Sequence, residues 1–369
     1  MQWATAKPAE PQADLKILNT NSRNDPPRLA GLKVSKALRT LEEEGRELTY
    51  KKIDSTLRGN LGIEIQAALG ERRLAVVAPA FPAMGRLLLD GHLHVGGVAA
   101  GNHHLPTLLR QQTRMAVKHL SGRIVAEGAK ALRERLKEIS KQGRAIVGMD
   151  TACQADLAAI ARAALALRPR PLLVGSAGLA AEIASLRCAK YRRHSTIPQA
   201  FSSGRRAGPV VMIVGSTHHV THRQLDYLLT HRAATRTPLQ GGFLRRAYKA
   251  IQENRHILIN IHLQKTNIER LAGLAKILAD PRVRGIILTG GDTADLVVRA
   301  LGAHGIMLAR EILPGMPWGK LIGGPAAGKP VATKAGGFGK PDALAMMAGY
   351  LGRLKLVRQP RRSGIGASG

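Results

Sequence analysis

Gly285-Ile286-Ile287-Leu288-Thr289-Gly290-Gly291-Asp292-Thr293 joins an apolar run of β character to a glycine turn, and a helical pattern follows it. A second run has the same build: Pro330-Val331-Ala332-Thr333 leads into Lys334-Ala335-Gly336-Gly337-Phe338-Gly339. Strand, Gly-rich turn, helix is the local geometry that cradles phosphate. Glycines let backbone N–H groups approach an anion, and the helix N-terminus adds a favourable dipole. One such turn is commonly just a tight connection. Two in one C-terminal region predict a nucleotide site.

Outward from these runs, strand-like and helix-like segments alternate along the chain. Residues 15–19, 74–78, 145–149, 171–174 and 209–214 read as strands. Residues 28–44 and 156–167 read as helices, and 113–142 as mostly helical, with Glu134 and Lys137 placed to pair. Repeated βα units predict an α/β fold: two α/β domains with largely parallel sheets, joined by a basic linker. The expected boundaries are 1–188 for the first domain, 189–208 for the linker, 209–353 for the second domain and 354–369 for a disordered tail. The linker segment is polar and basic and shows no apolar period.

Composition supports two cores, since 44% of the 369 residues are hydrophobic. Aromatics make up only 3%, so those cores must be built from Ala, Leu, Ile and Val. The two cysteines, Cys153 and Cys188, have neither zinc-ligand nor disulfide-framework spacing, and a reducing cytoplasm fits them. No signal peptide is expected at the start, and no apolar run reaches the ~20 residues that span a bilayer. The net charge of +31 raises nucleic-acid binding as a function class. The basic residues are spread along the chain, however, with no finger, RNP-type or zipper motif, so nucleic acid is not the expected partner. His218-His219 and His222 lack nearby carboxylates or thiols, and no metal site is expected of them.

Four groups of residues carry chemistry. Lys51-Lys52-Ile53-Asp54-Ser55-Thr56-Leu57-Arg58-Gly59-Asn60 is dense in hydrogen-bonding groups. Lysine and arginine can hold a carboxylate, Asp54 can accept from a sugar hydroxyl, and Ser55 and Thr56 can donate. The same residues also suit a solvated strand end with a helix cap, and both readings stand open. Ser216 follows an apolar strand and can donate to a phosphate oxygen or cap a helix. Asp292 can hold Mg²⁺ through water or serve as an N-cap. Lys334, beside Gly336 and Gly337, can neutralise charge on a transferring phosphoryl group.

Several runs, in this order, resemble the four-carbon acid sugar kinase family. They are Asn19-Thr20-Asn21-Ser22-Arg23, the Lys51 to Asn60 run, Ala78-Pro79-Ala80-Phe81-Pro82 with Gly85-Arg86, and Val174-Gly175-Ser176-Ala177-Gly178. Val214-Gly215-Ser216, Thr289-Gly290-Gly291-Asp292-Thr293, Leu313-Pro314-Gly315-Met316-Pro317 and the Thr333 to Gly339 run complete them. The resemblance implies an N-terminal acid-sugar domain, a C-terminal nucleotide domain and ATP-dependent phosphorylation of a terminal hydroxyl on threonate, erythronate or a 3-oxo-tetronate. It implies that Ser216, Gly290, Gly291, Asp292, Thr293, Gly336 and Gly337 contact ATP, with Mg²⁺ as cofactor. Lys52, Asp54, Ser55 and Arg58 would form the acid-sugar pocket, and Asp54 and Lys334 would be catalytic. The expected partners are a sugar acid and ATP, in the cytoplasm, with homodimerisation left open. Family members open on an Asp-Asp-x-Thr-Gly-Ala motif that this sequence does not contain. The first domain is therefore expected to be N-terminally truncated, and a catalytically impaired nucleotide-binding remnant is the alternative function.

Overall fold

The computed structural model describes residues 15–45, 48–187, 208–261 and 268–354. The expected linker, apart from Gly208, and the tail beyond Leu354 lie outside the described residues. The chain divides into two compact units, Met1–Thr196 and Ile197–Gly369.

The first unit runs α1 (Pro27–Glu43), β1 (Tyr50–Lys52), α2 (Leu61–Leu69), β2 (Leu74–Ala78), β3 (Arg86–Leu89), β4 (His92–Val95) and β5 (Val98–His104). It continues α3 (Leu105–Gln112), β6 (Ala116–Leu120), α4 (Gly122–Ala126), α5 (Ala129–Gln142), β7 (Ala145–Met149), α6 (Gln154–Leu165), β8 (Leu172–Gly175) and α7 (Ala177–Arg187). Its main sheet has the order β1-β8-β2-β7-β6, with every neighbouring pair parallel. Strands β2, β7 and β8 bury all their residues, which is why they read as unbroken apolar runs. Successive side chains go to opposite faces. Val76, Ala78, Val147 and Leu173 pack with Leu132, Leu136, Leu157 and Ile160 of α5 and α6. Ala75, Val77, Ile146 and Val174 pack with Leu61, Ile65, Leu105 and Leu109 of α2 and α3. Ile146 is fully buried, and its truncation to alanine is worth roughly 2–5 kcal/mol. A small antiparallel sheet, β3-β4-β5, is tied to the main one where Leu88 bridges Thr151 beyond the end of β7.

The second unit runs β9 (Val210–Val214), α8 (His219–Thr230), β10 (Thr235–Arg236), α9 (Phe243–Gln252), β11 (Ile257–Asn260) and α10 (Ile268–Ala279). It continues β12 (Gly285–Thr289), α11 (Gly291–Ala300), β13 (Gly305–Leu313), β14 (Met316–Ile322), β15 (Pro330–Lys334) and α12 (Ala343–Arg353). The sheet order is β10-β11-β9-β12-β15-β14-β13. Its first five strands are parallel and the last two antiparallel. The expected α/β class with largely parallel sheets therefore holds in both units.

Two local expectations are corrected. Residues 15–19 form no strand, and Leu15 and Ile17 stand 72% and 68% exposed with no ladder to join. The segment 113–142 is not continuously helical, because residues 116–120 are β6. Among the described residues this strand pairs only with β7, and Ala116 and Lys118 are exposed, so Ala116-Val117-Lys118-His119-Leu120 lacks the apolar run that marks β2 or β7. The antiparallel strands β3–β5, β13 and β14 also had no clear sequence mark. Of these, β3, β5 and β13 are edge strands, while β4 and β14 lie between two antiparallel neighbours.

Candidate functional site

In the second unit, Val214, Thr289 and Lys334 are paired in one register across β9, β12 and β15. The chain therefore leaves the sheet at one level in three adjacent places, as Gly215-Ser216, Gly290-Gly291 and Ala335-Gly336-Gly337. The crevice beyond the carboxyl ends of parallel strands is where open α/β sheets bind ligands. The turns touch one another. Thr221 donates from its hydroxyl to the Gly336 carbonyl at 2.8 Å, and the Gly290 N–H donates to the Lys334 carbonyl at 2.9 Å. A side chain on Gly215 would collide with the Thr293 hydroxyl, and one on Gly336 with the Ser216 hydroxyl. Gly290 has φ +103°, a conformation glycine adopts without cost. The structure thus gathers Ser216, Gly290, Gly291, Asp292, Thr293, Gly336 and Gly337 around one set of strand ends.

Two of these residues, Ser216 and Asp292, hold positions that the sequence left open. Ser216 Oγ accepts from the His218 N–H at 3.3 Å, so it orders the turn before α8, whose N-cap is His218. Asp292 is the second residue of α11 and not its cap; the cap is Gly290, which offers no side chain to the first helical N–H groups. Those groups have no acceptor within the helix. A Cβ on Gly291 would meet nothing within 4 Å, so this helix start has open space beside it. The Thr293 hydroxyl is buried with no hydrogen-bond partner among the described residues.

Lys334 lies beneath the third glycine turn. It is 2% exposed, and its ammonium donates to the carbonyls of Ala335, Gly336 and Phe338 at 2.9, 3.1 and 3.1 Å. All three N–H bonds are spent on its own loop. Burial pulls its pKa down to about 8. In this position it holds the glycine turn in shape from within. Gln224 supports the same loop through the Phe338 and Lys340 carbonyls.

In the first unit, the segment after β1 lies at the carboxyl end of the parallel sheet. Asp54 is its hub. Oδ1 accepts from the Thr56 N–H at 2.8 Å and the Thr56 hydroxyl at 2.7 Å. Oδ2 accepts from Arg58 Nη2 at 2.9 Å, Arg58 Nε at 3.1 Å and Arg23 Nη1 at 3.2 Å. Burial alone would raise the Asp54 pKa, but the Thr56 bonds and the Arg58 guanidinium outweigh it and hold the carboxyl below the usual range. A carboxylate so engaged is a weak proton acceptor and a firm anchor for two guanidinium groups. Ser55 is buried and accepts from Arg86 Nη1 at 2.5 Å. The protein packed around Lys52 lowers its pKa although the residue is exposed. Asp54 opposes that shift, and Lys51, Arg23 and Arg86 add to it.

Arg23 and Arg86 were not among the candidate site residues, yet they complete this cationic cluster. They lie on a loop before α1 and on β3, and only the fold brings them to Asp54 and Ser55. Asn60 fixes the Arg23 loop by donating to the Ser22 and Asp25 carbonyls at 3.2 and 2.8 Å. Glu64 takes the Ser22 hydroxyl at 2.7 Å and the Lys51 ammonium at 2.6 Å. A side chain on Gly59 would stand 2.7 Å from Arg23 Cγ, so this glycine makes room for the arginine. A signal for Arg23 was present in the sequence, since an arginine closing a polar Asn-Thr-Asn-Ser run suits a ligand loop. Gly85-Arg86 stands among the family-like runs, but nothing beside it marks a role for the Arg86 charge.

Comparison with known proteins matches residues 1–183 to a sugar-binding N-terminal domain and residues 244–344 to a nucleotide-binding C-terminal domain. The chain is 32% identical to a D-threonate kinase of Bordetella bronchiseptica, over 94% of this chain and 88% of that protein. It is 30% identical to a 3-oxo-tetronate kinase of Pseudomonas fluorescens, over 92% of this chain and 87% of that protein. A crystal structure of a Haemophilus influenzae protein shares the fold with a TM-score of 0.67 at 24% identity, covering 90% of this chain and 87% of that one.

Proposed function

The chain belongs to the four-carbon acid sugar kinase family, and on that premise we propose that it transfers the terminal phosphate of ATP to a terminal hydroxyl of threonate, erythronate or a 3-oxo-tetronate. The observation that carries the nucleotide half is the common register of Val214, Thr289 and Lys334, which brings three glycine turns to one level. The open start of α11 at Gly291 suits a phosphate, with Ser216 and the buried Thr293 hydroxyl beside it. ATP would supply the phosphoryl group, and a bound Mg²⁺ would supply charge neutralisation at the site. Among the described residues no group of three or more His, Cys, Asp or Glu is placed to hold a metal. Asp292 at the exposed helix start suits an ion that keeps its waters and is carried by the phosphates.

The acid-sugar half rests on Arg23, Arg58, Arg86 and Lys52. These cations suit a substrate carboxylate, and Asp54 keeps Arg23 and Arg58 in place. Phosphoryl transfer through a loose transition state asks more of positioning than of proton removal. A low-pKa Asp54 can therefore serve by orienting the site and not by acting as a strong base. Use in the cytoplasm, with a sugar acid and ATP as partners and a homodimer as the assembled form, belongs to the same proposal. No helix among the described residues is long and apolar enough to cross a membrane.

The full engagement of Asp54 also favours a second reading, a nucleotide-binding relative with impaired catalysis. One experiment separates the two. The purified chain is incubated with ATP, Mg²⁺ and each of the D- and L-threonates, the D- and L-erythronates and the 3-oxo acids, and product is scored by mass. Phosphorylated product from any one supports the kinase. ATP binding without product from any of them supports the second reading.

A further inference from the structure

His218 combines two features that its surroundings explain only in part. It is the N-cap of α8, and its Nδ1 accepts from the Val220 N–H at 3.2 Å. A backbone amide can only donate, so Nδ1 must present its lone pair. In the neutral ring the proton then sits on Nε2. The same ring lies across the third glycine turn. Its Nε2 is 3.0 Å from where a Cβ on Gly337 would stand, and its Cβ is 3.2 Å from the corresponding point on Gly336. Among the described residues Nε2 has no hydrogen-bond partner. The cap thus sets the tautomer and leaves an oriented N–H at the glycine turn, as second-partner hydrogen bonds commonly do for functional imidazoles.

The charged and titratable neighbours are His219, whose ring centroid is 4.4 Å away, and Lys334 beneath the turn. Desolvation first, then these two groups, hold the His218 pKa below its ordinary value. The ring is therefore neutral at pH 7 and keeps the donor at Nε2. Lys334, which would be the obvious side-chain donor, gives all three N–H bonds to carbonyls. Among the described residues, the Ser216 hydroxyl and His218 Nε2 are the side-chain donors that a Cβ on Gly336 or Gly337 would approach, and only His218 reaches Gly337.

We propose that His218 is a nucleotide-binding residue, donating from Nε2 to a phosphate oxygen of ATP held at the Gly336-Gly337 turn. This rests on the nucleotide reading above and adds a specific contact to it. The bland alternative, that His218 only caps α8, makes a different prediction for two variants. His218→Asn keeps a good N-cap but ends short of the Nε2 position. His218→Gln reaches that position with an amide N–H and loses the cap.

The test is calorimetric affinity of the full chain for ATP and for adenosine, without sugar acid, alongside thermal unfolding. For His218→Asn the expected result is ATP binding weakened about tenfold, the loss of one hydrogen bond to a charged acceptor, with adenosine affinity and melting temperature unchanged. For His218→Gln, part of the ATP affinity returns while the melting temperature falls. ATP affinity equal to the unaltered chain in His218→Asn, or an equal loss for adenosine and ATP, overturns the proposal. Absence of ATP binding by the unaltered chain overturns the nucleotide reading itself, and the His218 contact with it.

Discussion

The Ser216 hydroxyl occupies the space that a side chain on Gly336 would need. These residues follow different strands, β9 and β15, which are separated in the sheet by β12. Their contact is possible only because Val214, Thr289 and Lys334 share one register. Gly336 is therefore required for close approach, and its backbone angle is not the reason.

Gly336→Ala is expected to cost roughly 1–3 kcal/mol through overpacking. Ser216→Gly removes the colliding hydroxyl, so the double variant should regain part of that loss while ATP affinity stays low. Urea midpoints of the two single variants and the double variant form the cycle. A Gly336→Ala chain as stable as the unaltered one would show that the turn yields freely and that the contact constrains nothing.

Asp54→Asn should raise the KM for the sugar acid by about tenfold or more and leave the KM for ATP near its original value, because the lost charge anchors Arg23 and Arg58. Stability should show the matching pH dependence. The folded pKa of Asp54 lies below its unfolded value. Its contribution is therefore present above about pH 4 and is lost as pH falls through the folded value. Unfolding midpoints of the two proteins should differ at neutral pH and converge in acid. A gap that persists unchanged at the acid end would place the effect elsewhere.

Lys334→Met leaves three loop carbonyls without their donor and should cost about 1–3 kcal/mol near neutral pH. The unaltered chain should also gain stability between pH 8 and about 10. Lys334 and Lys329 titrate at about 8 when folded, against about 10.4 when unfolded, so the unfolded chain holds more protons in that window. Tyr50 acts the other way above about pH 10, since burial raises its folded pKa. Urea midpoints at pH 8, 9 and 10 should rise less steeply in Lys334→Met. Equal slopes in the two proteins would remove Lys334 from this account.

The legible part of the fold is the part buried on two faces. Residues 74–78, 145–149 and 285–289 carry continuous apolar side chains because each has helices above and below, and they read as strands with correct ends. The edge strand at 116–120 was misread because one side of it meets solvent. The candidate site divides the same way. Ser216, the Gly290 turn and the Gly336 turn were visible because strand, glycine and helix follow one another locally. The meeting of Arg23 and Arg86 with Asp54 and Ser55 was not visible, because it joins a loop, a strand and a turn far apart in the chain.

Composition and local order alone established an α/β chain of two cores with glycine turns at strand ends, since burial and backbone sterics act over a few residues. Which turns meet, and what each polar side chain does there, followed from strand register and packing. Lys334 and His218 make the point. One is a lysine beside glycines that turns inward because three carbonyls surround it. The other is a histidine whose free N–H is oriented by a cap two residues on. Neither assignment is a property of residue type, because a hydrogen bond spent on one partner cannot be offered to another, and only the folded chain sets the partners.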